Sequence, residues 1–87
     1  EALLSYWRTA SQLEVDFILG DAEVAIEIKT TREAKPKHYR GLKAFAEEYK
    51  VKKLILVTFD KSPRQDGNIL IYPWDYFLKA LWNGEIL

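Results

Sequence analysis

Asp16, Glu27 and Lys29 have residue types and spacing that could act on a phosphodiester. Glu27 and Lys29 lie two apart, so in an extended strand both point to the same face. Asp16 sits in the preceding strand-like segment. With Asp21 and Ala22 as the turn between the segments, it falls directly opposite Glu27. With Gly20 and Asp21 as the turn, it shifts by one pair and keeps its face. The two carboxylates then sit with Cβ atoms about 5 Å apart if opposite, or about 7–8 Å if diagonal. Like charges facing each other on a sheet repel, so one takes up a proton or a cation sits between them. A hard divalent ion, Mg²⁺ or Mn²⁺, accepts two carboxylates plus several waters, and the Ile28 carbonyl is a further candidate ligand. Lys29 beside the ion could orient or deprotonate a water, or stabilise charge on an attacked phosphate. The set lacks only a third acidic group to make a metal-assisted hydrolysis site. The same three residues also fit a solvated strand face in which Lys29 pairs with Glu27.

The elements that must position them follow from periodicity. Leu3–Thr9 is β-like, and Leu13–Gly20 alternates, with Val15, Phe17 and Leu19 on one face and Glu14, Asp16 and Ile18 on the other. Val24–Lys29 alternates again, and the turn residues between the two segments predict a β-hairpin. Asp16 and Glu27 are expected on the face turned away from the core, so that replacing either leaves the fold intact. After an aperiodic stretch over Thr30–Lys35, Pro36 opens a helix in which Tyr39, Leu42, Phe45, Ala46 and Tyr49 recur at helical spacing to about Lys50. Leu54–Phe59 is an unbroken apolar run, as in a central strand covered on both faces. Ser62–Gly67 reads as a polar loop and Ile69–Tyr72 as a strand. Trp74, Phe77, Leu78, Leu81 and Trp82 form a second helix face, closed by Asn83-Gly84. The expected order is β-β-β-α-β-β-α, an α/β fold with a mixed β-sheet and flanking helices. The connection from Lys29 to Leu54 is long enough for a parallel crossover.

Composition bounds the rest. A chain of 87 residues is a single domain, and 48% hydrophobic residues with three tryptophans supply its core. Cysteine is absent, so no disulfide or thiolate zinc site contributes. With no membrane-length apolar run and no signal-peptide pattern, the sequence points to a cytoplasmic protein without a membrane partner. Thirteen basic residues balance thirteen acidic ones, but they are segregated. Leu13–Ile28 holds five acids and no base, whereas Lys29–Lys43 holds six bases against one acid, Glu33. That order suits a cation site beside a phosphate-binding surface, with Lys35, Lys37, Arg40 and Lys43 as candidate DNA contacts. A solvated helix face is the plainer reading of those four. His38, the single histidine, reads as solvated; Trp7, Trp74 and Trp82 read as core or interface; Asp60, Arg64 and Asp66 read as plain loop residues.

The longer string narrows the choice. Tyr6-Trp7-Arg8-Thr9, then Glu14-Val15-Asp16-Phe17-Ile18-Leu19, then Ala25-Ile26-Glu27-Ile28-Lys29 resembles an uncharacterised C-terminal domain of prokaryotic AAA-type ATPases. Gly41-Leu42-Lys43-Ala44-Phe45 and the later Pro73, Phe77 and Leu78 continue that resemblance over nearly the whole chain. The domain is itself similar to the restriction-endonuclease-like PD-(D/E)XK nucleases. The resemblance implies Asp16 and Glu27 as metal ligands, Lys29 as the catalytic lysine, and a Mg²⁺- or Mn²⁺-dependent nuclease acting on DNA. In that superfamily a helix precedes the first strand and often adds a glutamate; Glu1 is not given that role. Lack of the helix implies a C-terminal fragment of a longer ATPase, with the ATPase portion upstream and self-association as a homo-oligomer to cover exposed core. The alternative is a non-catalytic DNA- or protein-binding or oligomerisation module on the same fold.

Overall fold

A computed structural model describes residues 4–86, so Glu1 and Leu3 lie outside the described residues. In chain order the elements are β1 (Leu4–Arg8), β2 (Glu14–Leu19), β3 (Val24–Ile28), a 3-10 turn (Pro36–Tyr39) and α1 (Arg40–Glu48). They continue with β4 (Lys53–Thr58), β5 (Arg64–Asp66), β6 (Ile69–Pro73) and α2 (Trp74–Trp82). The six strands form one mixed sheet in the order β1-β2-β3-β4-β6-β5. Strands β1 to β3 are an antiparallel meander, β3, β4 and β6 run parallel, and β5 returns antiparallel on β6. The Lys29–Leu54 connection is thus a parallel crossover, as its length predicts. No described helix is long and apolar enough to cross a membrane.

Each helix covers one face, and alternate residues of the central strands divide between two cores. Ala25, Leu54 and Leu56 pack under α1 with Leu42 and Phe45. Val24, Ile26, Ile55 and Val57 pack on the other side with Ala80 and Ile86. This explains why β4 is an apolar run rather than an alternating one.

Strand β2 departs from the alternation read from its sequence. Val15 and Ile18, three apart, both enter the core under α1, while Phe17 is 39% exposed. The pairing with β1 supplies the reason. Ser5 pairs with Ile18 but Trp7 pairs with Val15, so Asp16 and Phe17 together stand opposite Tyr6 alone. This is a β-bulge, which re-aims side chains that a regular pleat would fix. The hairpin register is Phe17↔Ile26, Ile18↔Ala25 and Leu19↔Val24. It centres the turn on Asp21-Ala22, with Gly20 and Ala22 at positive φ of 69° and 59°. Continued one step, it sets Asp16 level with Glu27.

Three further expectations change. The loop Ser62–Gly67 contains β5, a strand of three polar residues, because an edge strand facing solvent needs no apolar side chains. The helix begins as a 3-10 turn and ends at Glu48. Trp82 is 91% exposed and Trp74 51%, so neither is core; Ala80, Phe77 and Ile86 fill the space beneath α2 instead.

Gly41 sets the distance between α1 and β2. A Cβ built on it would stand 2.1 Å from the Glu14 carbonyl oxygen, a backbone atom with no room to yield. Gly41→Ala is therefore expected to push α1 off the sheet and cost about 1–3 kcal/mol. Urea unfolding measures this, and a variant as stable as wild type would show that the contact is not tight.

Candidate functional site

The sheet gathers Asp16, Glu27 and Lys29 where β2 and β3 part from one another. Glu27 follows Ala25 on the face covered by α1 and is only 3% exposed. This corrects the expectation that it faces away from the core: the sheet has a helix on each side, so β3 has no free face here. Lys29 Nζ lies 3.2 Å from Glu27 Oε2, with the lysine side chain 39% exposed. Oε1 of Glu27 is buried and has no hydrogen-bond partner among the described residues. Asp16, freed from the pleat by the bulge, accepts a 2.7 Å hydrogen bond at Oδ2 from the Ile28 amide. That amide lies between the two residues of the Glu27–Lys29 pair. Lys29 is itself pinned by its amide to the Val57 carbonyl at 2.9 Å.

Burial drives the Glu27 carboxyl up from 4.5 to about 7. The Lys29 ammonium works against that rise, while the charges of Asp16 and Glu14 add to it. Near neutral pH the group is thus poised between a proton and whatever cation can replace it. An orphaned buried oxygen beside a second carboxylate is the environment a hard divalent ion satisfies. Asp16, Glu27 and the Ile28 carbonyl are the groups that fit one. No three His, Cys, Asp or Glu side chains among the described residues converge on a common point, so the donor set stops at two carboxylates.

The segment after β3 builds a wall around this corner. A cleft of about 260 Å³ is lined by Glu27, Lys29, Lys37, His38 and Arg40, with Glu14 on its far side. Glu14 itself is tied to Arg8 at 3.1 Å. Of the four predicted DNA contacts, Lys37 and Arg40 reach the cleft. Lys35 pairs with Glu33 at 3.8 Å, and Lys43 sits 5.4 Å above the Tyr39 ring.

Asp60 holds the wall in place. Its carboxylate accepts from the Ala34 amide at 3.2 Å on both oxygens and from the Thr58 hydroxyl at 2.5 Å. Arg64 lies 3.6 Å from Asp60 and donates to the Ala34 carbonyl. Asp66 accepts from the Tyr39 hydroxyl. All three residues read as plain loop residues in the sequence; besides the local Thr58 and Asp60–Arg64 contacts, their partners Ala34 and Tyr39 lie 26 or more positions away, beyond any local pattern. His38 was likewise read as solvated, yet its Nδ1 accepts the Lys35 amide at 2.9 Å and its ring lines the cleft. The Lys-Pro-Lys-His run at the helix start was its one local signal.

The family model described as "Domain of unknown function (DUF4143)" matches residues 1–77. No curated protein and no solved structure matches the chain.

The buried carboxyl gives stability a defined pH dependence. Below pH 4.5 Glu27 is protonated whether the chain is folded or not. As the pH rises from there through about 7, the unfolded chain releases a proton that the folded state retains, so rising pH favours unfolding. The loss is on the order of 3 kcal/mol and complete above that range. Glu27→Gln should abolish this component, gaining stability over wild type at pH 8 but not at pH 4. Urea unfolding of both proteins across that range measures it, and a difference that does not vary with pH would show that Glu27 ionises freely.

Proposed function

The chain belongs to the DUF4143 family, and from the chemistry of its site we propose a divalent-cation-dependent, nuclease-like domain acting on the phosphodiester backbone of DNA. The observation that carries this reading is the buried, unpartnered Oε1 of Glu27, with Asp16 and Lys29 beside it. A carboxylate kept dry with one oxygen unsatisfied lowers stability, and proteins tolerate such a group where a ligand completes it. The mixed sheet with a helix on each face, and the placement of Asp16 before Glu27-Ile28-Lys29, support a PD-(D/E)XK-like core as part of the same proposal. The proposal further includes an ATPase portion upstream in the full-length protein and self-association through the apolar flank of α2, where Trp74, Leu78, Leu81 and Trp82 are exposed.

Each residue has a role in this reading. Asp16, Glu27 and the Ile28 carbonyl would hold Mg²⁺ or Mn²⁺, which supplies Lewis-acid polarisation of a phosphoryl oxygen. Glu27 gives up the proton it holds near neutral pH as the site fills. Lys29, whose carboxylate partner among the described residues is Glu27, would donate to the phosphate and stabilise the charge that develops there. Lys37 and Arg40, on the cleft wall, hold the strand by its phosphates. The burial of Glu27 under α1 strengthens the interactions of that carboxylate relative to water.

Mn²⁺ should broaden the amide signals of Asp16, Glu27 and Lys29 in the labelled domain, and Asp16→Ala should abolish the effect without unfolding the protein. Because binding requires Glu27 to lose its proton, affinity should rise from pH 6 to pH 8. At one hundred times the dissociation constant, the ion should stabilise the fold by about 2.7 kcal/mol. Lys29→Ala should keep cation binding and lose DNA cleavage by the full-length protein. Diffuse broadening, identical in wild type and Asp16→Ala, would rule out the cation site and leave a DNA-binding module without hydrolysis.

A further inference from the structure

We propose that His38 is a phosphate-binding residue of the cleft: a neutral imidazole locked in one tautomer, whose Nε2–H donates to a non-bridging oxygen of the bound backbone. This rests on the phosphodiester reading and names a contact that reading does not require. The lock is a single hydrogen bond. The Lys35 amide donates to Nδ1 of His38 at 2.9 Å, and an amide can donate only to an unprotonated ring nitrogen. The ring's proton therefore belongs on Nε2, the nitrogen across the ring from that amide. The ring lines the same cleft as Glu27, Lys29, Lys37 and Arg40. Nε2–H is the polar group it has left to offer there. Glu27, whose buried Oε1 has no hydrogen-bond partner among the described residues, lines this cleft too, a second sign that the space is shaped for a ligand.

The surroundings favour the neutral ring. Burial holds its pKa below the ordinary value, helped by the charges of Lys37, Lys29 and Lys35, with only Asp60 opposing. A cationic imidazole would lose the bond from Lys35, because both its nitrogens would then be donors. Lys29, Lys37 and Arg40 on the cleft thus supply the charge that attracts a phosphate, while His38 supplies a directional donor. The division resembles DNA-backbone recognition elsewhere, where point charges attract and oriented neutral donors fix the register. The Lys35–His38 bond also joins the residues before and after Pro36, so the donor sits on a short, stiff turn.

Two substitutions separate the lock from the donor. Asn at position 38 places a carbonyl oxygen near the position of Nδ1, where it can accept the Lys35 amide, but provides nothing at Nε2. Gln reaches the Nε2 position with an amide N–H and gives up the lock. The probe is a short single-stranded oligothymidylate, titrated without divalent cation at low salt and followed by fluorescence anisotropy. His38→Asn should melt like wild type and bind about tenfold more weakly, the loss of one hydrogen bond to a charged acceptor. His38→Gln should recover part of that loss. Nitrogen shifts of the imidazole in the free protein should show Nε2 protonated and Nδ1 bare, with Nε2 moving on titration. Equal affinity of wild type and His38→Asn, a protonated Nδ1, or no binding by the wild type would each overturn the proposal. Cation binding at Asp16 and Glu27 is read separately. If it fails while the His38 effect persists, the hydrolytic reading falls and the phosphate contact stands.

Discussion

A carboxylate has been placed where water cannot reach it, and much of this small domain is organised around that fact. Glu27 occupies a position that an apolar residue would fill in a fold built for stability alone. Ala25 precedes it and Leu56 pairs beside it, both buried under α1. Its one compensating charge is Lys29, itself partly in solvent, and one of its oxygens has no partner. Desolvation outweighs that single ion pair, as the rise of the carboxyl to about 7 records. With two carboxylates and one lysine at close quarters, the site is short of positive charge whenever Glu27 ionises. A proton removes the deficit by neutralising the group, and a cation does so while leaving it charged.

The surrounding backbone keeps that deficit from relaxing. Gly41 allows α1 to close down on β2 at Glu14, so the helix lies tight against the sheet beside the cleft. The bulge in β2 then turns Asp16 toward β3 instead of leaving it in the regular pleat, and its carboxylate caps the Ile28 amide. Beyond Lys29 the chain stays beside β4, held by the Lys29 amide to Val57 and the Phe59 amide to Thr31. Asp60 then fastens Ala34. The basic turn is therefore hung from the ends of two parallel strands and not from a free loop. Side chains carried on such a frame hold their geometry better than side chains on a mobile loop. Glu14 and Glu27 from the acidic stretch and Lys29, Lys37 and Arg40 from the basic one line a single cleft, with Asp16 outside its lining.

Much of this arrangement could be read from local pattern. Alternation located β3, the turn residues located the hairpin, and the apolar run over Leu54–Phe59 identified the central strand. Placing the turn on Asp21-Ala22 was enough to bring Asp16 level with Glu27. What local pattern could not convey was burial. The Glu-x-Lys pair looks the same on a solvated strand and on one roofed by a helix, and the roof depends on Gly41 meeting a backbone atom 27 residues earlier. The bulge was hidden for a related reason: Glu14, Asp16 and Ile18 alternate correctly on paper, and only the pairing with β1 shows that Asp16 and Phe17 share a single partner. Asp60 and Asp66 were passed over because their partners, Ala34 and Tyr39, lie on another element. Trp74 and Trp82 are not core because α2 turns Ala80 and Phe77 to the sheet and leaves the flank carrying Trp74, Leu78, Leu81 and Trp82 exposed.

His38 shows the same limit at the scale of one side chain. A lone histidine at a basic helix start is ordinarily solvated, and Lys-Pro-Lys-His does not say what its ring nitrogens will meet. The 3-10 turn changes its chemistry by presenting the Lys35 amide to Nδ1. That bond requires a neutral ring, and the lysines that make the stretch look uniformly basic are the groups that help keep it neutral. The same charges act oppositely on the two acid–base groups of the cleft. Lys29 favours the ionised form of Glu27 and the neutral form of His38. Glu27 nevertheless retains its proton to about pH 7, because its burial outweighs the lysine's field. Near neutrality one wall therefore carries a fixed donor while the floor carries an acid about to ionise. The acid and the donor thus answer to the same lysine in opposite directions while lining one small cleft.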